Sequence, residues 1–288
     1  MLVDENRMAL INKVLFPVDF SPGCIGAARY VEAMAGRFEA QIMLLHVVGM
    51  GDGGLVSAEE LFPRRKAQLD AFLADELKYF TTERVCVTGD EPAQAIMDAA
   101  LSWDADLVML PTRGHGVFDR LILGSVTARI LHDLACPVWT SVHSEAAPPL
   151  EQIHCRRILC AVDLSERSQS VLKWASGLAA EYEADLGIVH ATPEMPPALI
   201  SVGLEDELIR SVSAKEKKEI ESLQAVAGTS ARVFVDNGDP AAVIARASKD
   251  FDADLLVMGR HDGSGLAGGL QQNAYAILRD SSCPVISV

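Results

Sequence analysis

The chain has 288 residues, of which 49% are apolar, and carries a formal net charge of −15. This length suits two domains, each with enough apolar residues for a buried core. The acidic charge is spread evenly, with 12 basic and 20 acidic side chains in residues 1–150 and 13 and 20 in residues 151–288. Nucleic-acid binding requires clustered lysine and arginine, so this balance argues against nucleic acids and anionic membrane surfaces as partners.

The longest apolar runs are of strand length, so no transmembrane helix is expected. The N-terminus lacks the basic and apolar regions of a secretory signal, which predicts a cytoplasmic protein. The cysteines form no CxxC pair, and we expect free, buried thiols rather than a disulfide or a metal site. They are Cys24, Cys86, Cys136, Cys155, Cys160 and Cys283.

In the first half, short apolar runs alternate with longer segments of helical periodicity. Strands buried on both faces are predicted at residues 14–18, 42–48 and 107–110. Helices are predicted at residues 25–38, 64–79, 93–103 and 125–133. Alternating strands and helices imply parallel strands joined by right-handed crossovers, and five strands would make a doubly wound α/β sheet.

The second half repeats the first in the same order. Matching segments are Val18-Asp19-Phe20-Ser21 with Val162-Asp163-Leu164-Ser165, Asp104-Ala105-Asp106 with Asp252-Ala253-Asp254, and Cys136-Pro137-Val138 with Cys283-Pro284-Val285. This pattern predicts a tandem duplication of one domain. We place the first domain at residues 1–144, a proline-containing linker at 145–152 and the second domain at 153–288. Ser21 and Ser165 each predict a helix N-cap.

A glycine-containing loop follows the fourth predicted strand of the first copy. It runs from Leu110 and Pro111 through Gly114 to Gly124 and Ser125. In an open parallel sheet, ligands bind at the carboxyl ends of the strands, so this loop should lie opposite Asp19. Glycines let a backbone approach phosphate oxygens, and the amides and dipole at a helix start favour an anion. The loop therefore predicts a phosphate site.

Several side chains have roles that follow from their chemistry. Arg113 supplies positive charge, or is a solvated loop residue, and the hydroxyls of Ser125 and Thr127 can donate hydrogen bonds to an anion. Asp19 can accept a hydrogen bond from a ribose hydroxyl or an adenine amino group. Alternatively, it caps the following helix. At the ends of the second strands, His46 and His190 are expected to be hydrogen-bonded structural residues, the alternative being a catalytic base.

These motifs resemble the universal stress protein family in its tandem two-domain form. Nucleotide-binding members have a G-x2-G-x9-G-[ST] loop, which Gly114 and Gly124-Ser125 match, with Pro111 in place of the first glycine. The resemblance implies a Rossmann-like fold of the adenine-nucleotide alpha-hydrolase type that binds ATP or AMP. From its own chemistry, Asp19 is also a candidate ligand for Mg²⁺ beside the phosphates. The resemblance further implies that Asp19 and the backbone near Val47 hold the adenosine, while Gly114, Gly124, Ser125 and Val126 hold the phosphates. The full candidate set for the nucleotide is Pro17, Val18, Asp19, Val47, Leu110, Pro111, Arg113, Gly114, Gly124, Ser125, Val126 and Thr127.

The second copy departs from this pattern. Asp163 and Gly259 remain, but Asp262 replaces a loop glycine, and Gln271-Gln272 replace Gly124-Ser125. We therefore predict that the second domain does not bind ATP and acts as a structural or interaction partner. The resemblance also implies that the two domains pair through their last strands, at residues 138–142 and 285–288, as an internal pseudo-dimer, and that two chains form a homodimer.

The sequence therefore favours a cytoplasmic stress-response regulatory protein that binds ATP or AMP in its first domain. Two alternatives remain open, a weak ATPase or nucleotidyl-transfer enzyme and an interaction module without a nucleotide role. No Ser/His/Asp or Cys/His constellation and no HExxH motif is visible in the sequence, which favours a binding protein over an enzyme.

Overall fold

The computed structural model describes residues 11–49, 57–112, 123–141, 148–192, 205–260 and 269–288. The chain divides into two compact units, Met1–Ile153 and His154–Val288. The six cysteines are free, as expected. Three of them are buried, whereas Cys86, Cys136 and Cys155 are partly exposed, contrary to the expectation of burial.

The first unit alternates strands and helices. Its strands are β1 (Lys13–Pro17), β2 (Gln41–Val48), β3 (Thr82–Thr88), β4 (Leu107–Leu110) and β5 (Val138–Thr140). Its helices are α1 (Pro22–Phe38), α2 (Ala58–Ala71), α3 (Pro92–Trp103) and α4 (Ser125–Asp133), followed by a short 3₁₀ helix at Leu150–Gln152. Neighbouring strands are parallel in the order β3-β2-β1-β4-β5.

The second unit repeats this arrangement. Its strands are β6 (Arg157–Ala161), β7 (Asp185–Thr192), β8 (Arg232–Asn237), β9 (Leu255–Met258) and β10 (Val285–Ser287). Its helices are α5 (Ser168–Tyr182), α6 (Glu205–Ala227), α7 (Pro240–Phe251) and α8 (Gly269–Asp280). The strands are parallel in the order β8-β7-β6-β9-β10. Two tandem repeats of a five-stranded, doubly wound parallel sheet are thus confirmed.

The core of each unit lies around its central strands. In β1, Val14, Leu15 and Phe16 are fully buried, and all four residues of β4 are buried. This explains the continuous apolar runs, because a strand covered by helices on both faces has no solvent side. Each fully buried Leu, Val or Phe side chain contributes about 1.5–3 kcal/mol relative to exposure.

The first helix begins as predicted, and its counterpart does not. Ser21 is the N-cap of α1, its Oγ accepts a hydrogen bond from the amide of Cys24 at 3.2 Å, and a proline occupies the first turn. In the second unit Ser165 lies in a turn, and α5 starts only at Ser168 with Arg167 as its N-cap. The prediction for Ser165 is therefore wrong. The first unit has Pro22 where the second has Glu166, and a proline there fixes the backbone for a helix start.

Helix α2 ends earlier than its periodicity predicts, at Ala71 instead of residue 79. Leu73 adopts a left-handed φ of 53°, which interrupts the helix. Arg84 of β3 donates from Nε to the carbonyl of Leu69 at 3.1 Å and from Nη2 to that of Phe72 at 3.0 Å. These hydrogen bonds give acceptor carbonyls at the end of the helix a partner outside it. The end of α2 is therefore determined by Arg84, a residue of the following strand.

Candidate functional site

In the first unit, Asp19 lies two residues beyond the end of β1. The amide of Val18 donates to the carbonyl of Leu45 at 2.8 Å, which extends the sheet contact to the residue before Asp19. Asp19 Oδ1 accepts a hydrogen bond from the amide of Ser21 at 2.9 Å, and Phe20 between them has a left-handed φ of 62°. Because Ser21 is the N-cap of α1, the alternative that Asp19 caps this helix is wrong. The turn instead holds a half-buried carboxylate at the sheet edge.

The two histidines hold the backbone beside these aspartates. Nδ1 of His46 donates to the carbonyl of Val18 at 2.7 Å, and Nδ1 of His190 donates to that of Val162 at 2.8 Å. A carbonyl oxygen only accepts, so Nδ1 carries the hydrogen in both rings. Both side chains are buried, which confirms the structural role predicted for them.

The two histidine rings have different surroundings. The His46 ring centroid lies 4.6 Å from that of Phe20. His190 Nε2 instead lies 3.5 Å from a carboxylate oxygen of Glu216, whose other oxygen accepts a hydrogen bond from Thr192. The carboxyl end of β7 is therefore more polar than that of β2.

Two hydrogen bonds fix the start of α4 against the end of β4, in a region that we call the neck (Pro111, Thr112, Gly124 and Thr127). The amide of Gly124 donates to the carbonyl of Thr112 at 3.0 Å. Thr127 Oγ1 donates to the carbonyl of Pro111 at 3.2 Å. Residues 113–122, which include the predicted site residues Arg113 and Gly114, lie outside the described residues.

The neck brings most predicted site residues to one edge of the sheet. β1 and β4 are neighbouring parallel strands, so Asp19 and Gly124 lie at the same carboxyl edge. Val47 lies near the end of β2, which flanks β1 on its other side. The other described members of the set are Pro17 and Val18 at the end of β1, Leu110 and Pro111 at the end of β4, and Ser125, Val126 and Thr127 in the first turn of α4.

The N-terminus of α4 has the features of an anion site. Gly124 is the N-cap in extended conformation and, as a glycine, has no side chain with which to cap the helix. The first turn contains no acidic residue, and Ser125 is exposed. First-turn amides have no acceptor within their own helix, and the helix dipole is positive at this end. The amides of Ser125 and Val126 are therefore suited to bind phosphate oxygens.

Thr127 has a different role from the one predicted. Its side chain is buried, with 6% of its surface exposed, and its single hydroxyl proton is donated to Pro111. It is therefore engaged in the neck and does not offer that proton to an anion. The sequence pattern could not distinguish Ser125 from Thr127, because both hydroxyls lie in the same helical turn.

In the second unit, Asp163 is held more extensively. Its Oδ1 accepts hydrogen bonds from the amide of Ser165 at 3.0 Å and from Oγ of Ser168 at 2.9 Å. Partial burial opposes ionisation of this carboxyl group, but the hydrogen bonds outweigh it and lower its pKa. Asp163 is therefore an ionised acceptor whose hydrogen bonds come from its own turn.

Sequence reasoning missed Arg167, which links the start of α5 to the residues that follow β9. Its Nη1 donates to the carbonyl of Arg260 at 3.0 Å. A cavity of only about 20 Å³ remains between Asp163, Arg167 and Gly259. The signal was present in the repeat, since Arg167 stands where the first copy has Gly23.

The last helix of the second unit also starts in a different place. α8 begins at Gly269, so Gln271 and Gln272 lie within its first turn. In the first unit Gly124 and Ser125 are instead the N-cap and the first helical residue of α4. The helix N-terminus is therefore displaced along the chain, while Asp262 lies outside the described residues.

Comparison with known proteins decides the family. The model described as "Universal stress protein family" matches residues 11–141 and 154–288, which is once in each unit. The chain belongs to the universal stress protein family. The universal stress protein A homolog 1 of Coxiella burnetii is 31% identical over 140 residues, covering 47% of this chain and 97% of the relative.

Other universal stress proteins match the full tandem length. A universal stress protein of Mycolicibacterium smegmatis is 24% identical over 293 residues, covering 96% of each chain. The crystal structure of a universal stress protein from Archaeoglobus fulgidus has a TM-score of 0.69 at 18% identity, covering 96% of this chain and 95% of that one. At this identity the likeness shows the shared fold. Within the described part of the chain, no helix is long and apolar enough to cross a membrane.

Proposed function

We propose that this protein is a cytoplasmic stress-response regulator that binds ATP or AMP in its first unit. The adenosine lies against Asp19 and the backbone near Val47, and the phosphates lie at Gly124, Ser125 and Val126. Arg113 and Gly114 complete the phosphate contacts in this proposal. Mg²⁺, where present, is held beside the phosphates with Asp19 as its candidate protein ligand.

The observation that carries the proposal is the N-terminus of α4, whose N-cap is a glycine, at the edge where Asp19 lies. The neck fixes this terminus through the bond from Gly124 to Thr112, so its amides are preorganised. Anionic groups bind at such termini because unpaired amides and the dipole act together. The carboxylate of Asp19, just beyond the neighbouring strand β1, is a hydrogen-bond acceptor. The hydroxyl and amino groups of adenosine need such an acceptor, whereas phosphates need donors.

The second unit has a different role in this proposal. We place the nucleotide-binding domain at residues 1–144, the linker at 145–152 and the second domain at 153–288. The second domain serves as a structural or interaction partner and binds no ATP, and the functional assembly is a homodimer whose chains are internal pseudo-dimers. Light scattering of the purified chain, with and without ATP, tests the assembly by its mass.

The nucleotide proposal is tested on the purified full chain. The protein is denatured, and any released nucleotide is identified by mass and absorbance. The emptied protein is then titrated with ATP and with AMP by calorimetry, with and without Mg²⁺. We expect one nucleotide per chain. We expect Gly124→Gln to weaken ATP binding at least about tenfold, which is about 1.4 kcal/mol, because its side chain projects beside the phosphate amides.

The matched control is Gln271→Ala, which changes the corresponding position of the second unit. It should leave ATP affinity and stoichiometry unchanged, because this position holds no phosphate in our proposal. If the wild type binds neither ATP nor AMP, or if Gly124→Gln binds ATP as the wild type does, the nucleotide site is not where we place it. Phosphate release measured in the same samples distinguishes binding from hydrolysis.

A further inference from the structure

The second unit has an arginine where the first has a glycine. Residues 18–24 after β1 correspond to residues 162–168 after β6, which aligns Arg167 with Gly23. The turn just before this position is shared, since Phe20 and Leu164 both have left-handed φ angles, of 62° and 60°. Gly23 lies inside α1, whereas Arg167 is the N-cap of α5, so the units differ here in the side chain and in where the helix begins.

Arg167 spans the carboxyl edge of the second sheet. It immediately precedes α5, and its Nη1 donates to the carbonyl of Arg260, two residues beyond β9. β6 and β9 are neighbouring strands, and in this strand order they form the switch point at which doubly wound sheets bind ligands. The acceptor is itself held in place, because the amide of Arg260 donates to the carbonyl of Val288 at 2.8 Å.

Among the described residues, the cavity that Arg167 lines is much smaller than a nucleoside requires. The cavity measures about 20 Å³, and its polar lining consists of Asp163, Ser165, Arg167, Ser168, Gly259 and Arg260. Such a volume holds about one water molecule. Sites for small molecules measure about 300–1,000 Å³.

We propose that Arg167 is the residue that excludes nucleosides from the second unit. This inference rests on the proposed function, because it gives Asp163 the nucleoside-binding position that Asp19 has in the first unit. The turn around Asp163 is intact, with hydrogen bonds from Ser165 and Ser168 holding the carboxylate. Removing the Arg167 side chain therefore opens a cleft whose acceptor is already in position.

The deciding variant is Arg167→Gly, which restores the residue of the first copy. Glycine is well accepted at a helix N-cap, the position of Arg167 in α5, so the variant should fold. Adenosine is the probe, because the second copy lacks the phosphate loop and a nucleoside reports only on the space that Arg167 occupies. Calorimetry of the full chain gives the stoichiometry, and the melting temperature verifies folding.

We expect one adenosine per chain for the wild type and two for Arg167→Gly. Adding Asp163→Ala to this variant should return the value to one, because the new site depends on that carboxylate. Glu166→Gly is the matched control, since it introduces glycine at the neighbouring exposed residue of the same turn and should keep one adenosine.

The outcomes separate this inference from the proposed function. A folded Arg167→Gly variant that binds no more adenosine than the wild type overturns the role of Arg167. The same holds if Glu166→Gly also gains a site, or if the gained site survives Asp163→Ala. If the wild type binds none and Arg167→Gly binds one that Asp163→Ala removes, the inference stands and the proposed first site fails.

Discussion

Lys13 and Asp106 exchange two hydrogen bonds at the amino end of the first sheet. The amide of Asp106 donates to the carbonyl of Lys13, and the amide of Lys13 donates to Asp106 Oδ2, both at 3.0 Å. Arg157 and Asp254 repeat this exchange in the second unit, at 2.9 and 3.0 Å. The duplicated Asp-Ala-Asp motif is thus explained by its last aspartate, which joins the starts of two neighbouring strands.

Replacing this aspartate should destabilise the first unit. Asp106 Oδ2 also accepts from the amide of Asn12 at 2.7 Å, so Asp106→Ala leaves two amides without their carboxylate acceptor. We expect a loss of about 1–2 kcal/mol in the free energy of unfolding, the lower part of the range for bonds to charged groups because the site is partly exposed. Urea unfolding followed by the fluorescence of Trp103 and Trp139 measures it.

Asp98→Ala is the control for this prediction. Asp98 is an exposed aspartate of α3 whose carboxylate accepts only from the side chain of Gln94 among the hydrogen bonds described for it. Its loss should change the free energy of unfolding by less than about 0.5 kcal/mol. Equal unfolding midpoints for Asp98→Ala and Asp106→Ala would contradict the role that we assign to Asp106.

A second prediction concerns Gly259 and Val171. A Cβ at Gly259 would lie 3.0 Å from Cγ2 of Val171, a β-branched residue whose rotamer is restricted in a helix. We expect Gly259→Ala to cost about 1–2 kcal/mol by overpacking. The first copy has Pro111 and Ala27 at these two positions, so a smaller helix residue accompanies the larger loop residue.

A double-mutant cycle tests this compensation. Val171→Ala should recover part of the stability lost in Gly259→Ala, so that the combined cost is smaller than the sum of the two single costs. Thermal unfolding of the four proteins gives the coupling energy. Strict additivity would show that the two side chains do not compete for the same space.

A third prediction concerns acid. The pKa of Asp163 is lowered from its ordinary value of 3.8, since hydrogen bonds from its turn outweigh the effect of burial. A carboxyl group whose pKa is lower in the folded than in the unfolded chain stabilises the fold. This stabilisation is fully present above pH 3.8 and is lost as the pH falls through the pKa of the folded state. The stability difference between wild type and Asp163→Asn should therefore shrink below pH 3.8. Because the Asp163 side chain is only partly buried, solvent screens its interactions, and we expect a stability difference of less than about 1 kcal/mol at pH 7.

Urea unfolding of both proteins between pH 2.5 and 7 measures this difference. A difference between wild type and Asp163→Asn that stays constant over the whole range would mean that Asp163 binds its proton equally well in the folded and unfolded chain.

A fourth prediction separates two neighbouring hydroxyls. Thr127→Val removes the bond to Pro111 while keeping the shape of the side chain, so it should lower the free energy of unfolding by about 1 kcal/mol. Ser125→Ala changes an exposed hydroxyl and should leave stability nearly unchanged while weakening ATP binding several-fold under the proposed function. Thermal unfolding of both variants measures the change in stability, and calorimetry measures the change in ATP affinity. The reverse pattern would exchange the roles of Ser125 and Thr127.

Local patterns were sufficient for much of the fold. Continuous apolar runs located the central strands, and the Ser21-Pro22 pair located the start of α1, because burial and capping depend on neighbouring residues. The end of α2 was missed because Arg84, which takes its last carbonyls, belongs to the following strand.

The candidate site was predictable to a similar extent. The repeat and the topology indicated that Asp19 and Gly124 share one sheet edge. The hydrogen bond from Arg167 to Arg260 joins residues that are 93 positions apart. The hydrophobic periodicity of a sequence predicts helices and strands but not contacts between such distant residues. The hydrogen bond from Thr127 to the carbonyl of Pro111 could not be predicted from the sequence either, because it depends on the backbone conformation at Pro111.

The neck has a consequence for how such proteins diversify. Thr112 and Gly124 are joined by a backbone hydrogen bond of 3.0 Å. The two ends of the intervening stretch are therefore fixed, and doubling the length of a loop costs only about 0.6 kcal/mol in closure entropy. Insertions, deletions and charge changes there can accumulate through descent without disturbing the sheet.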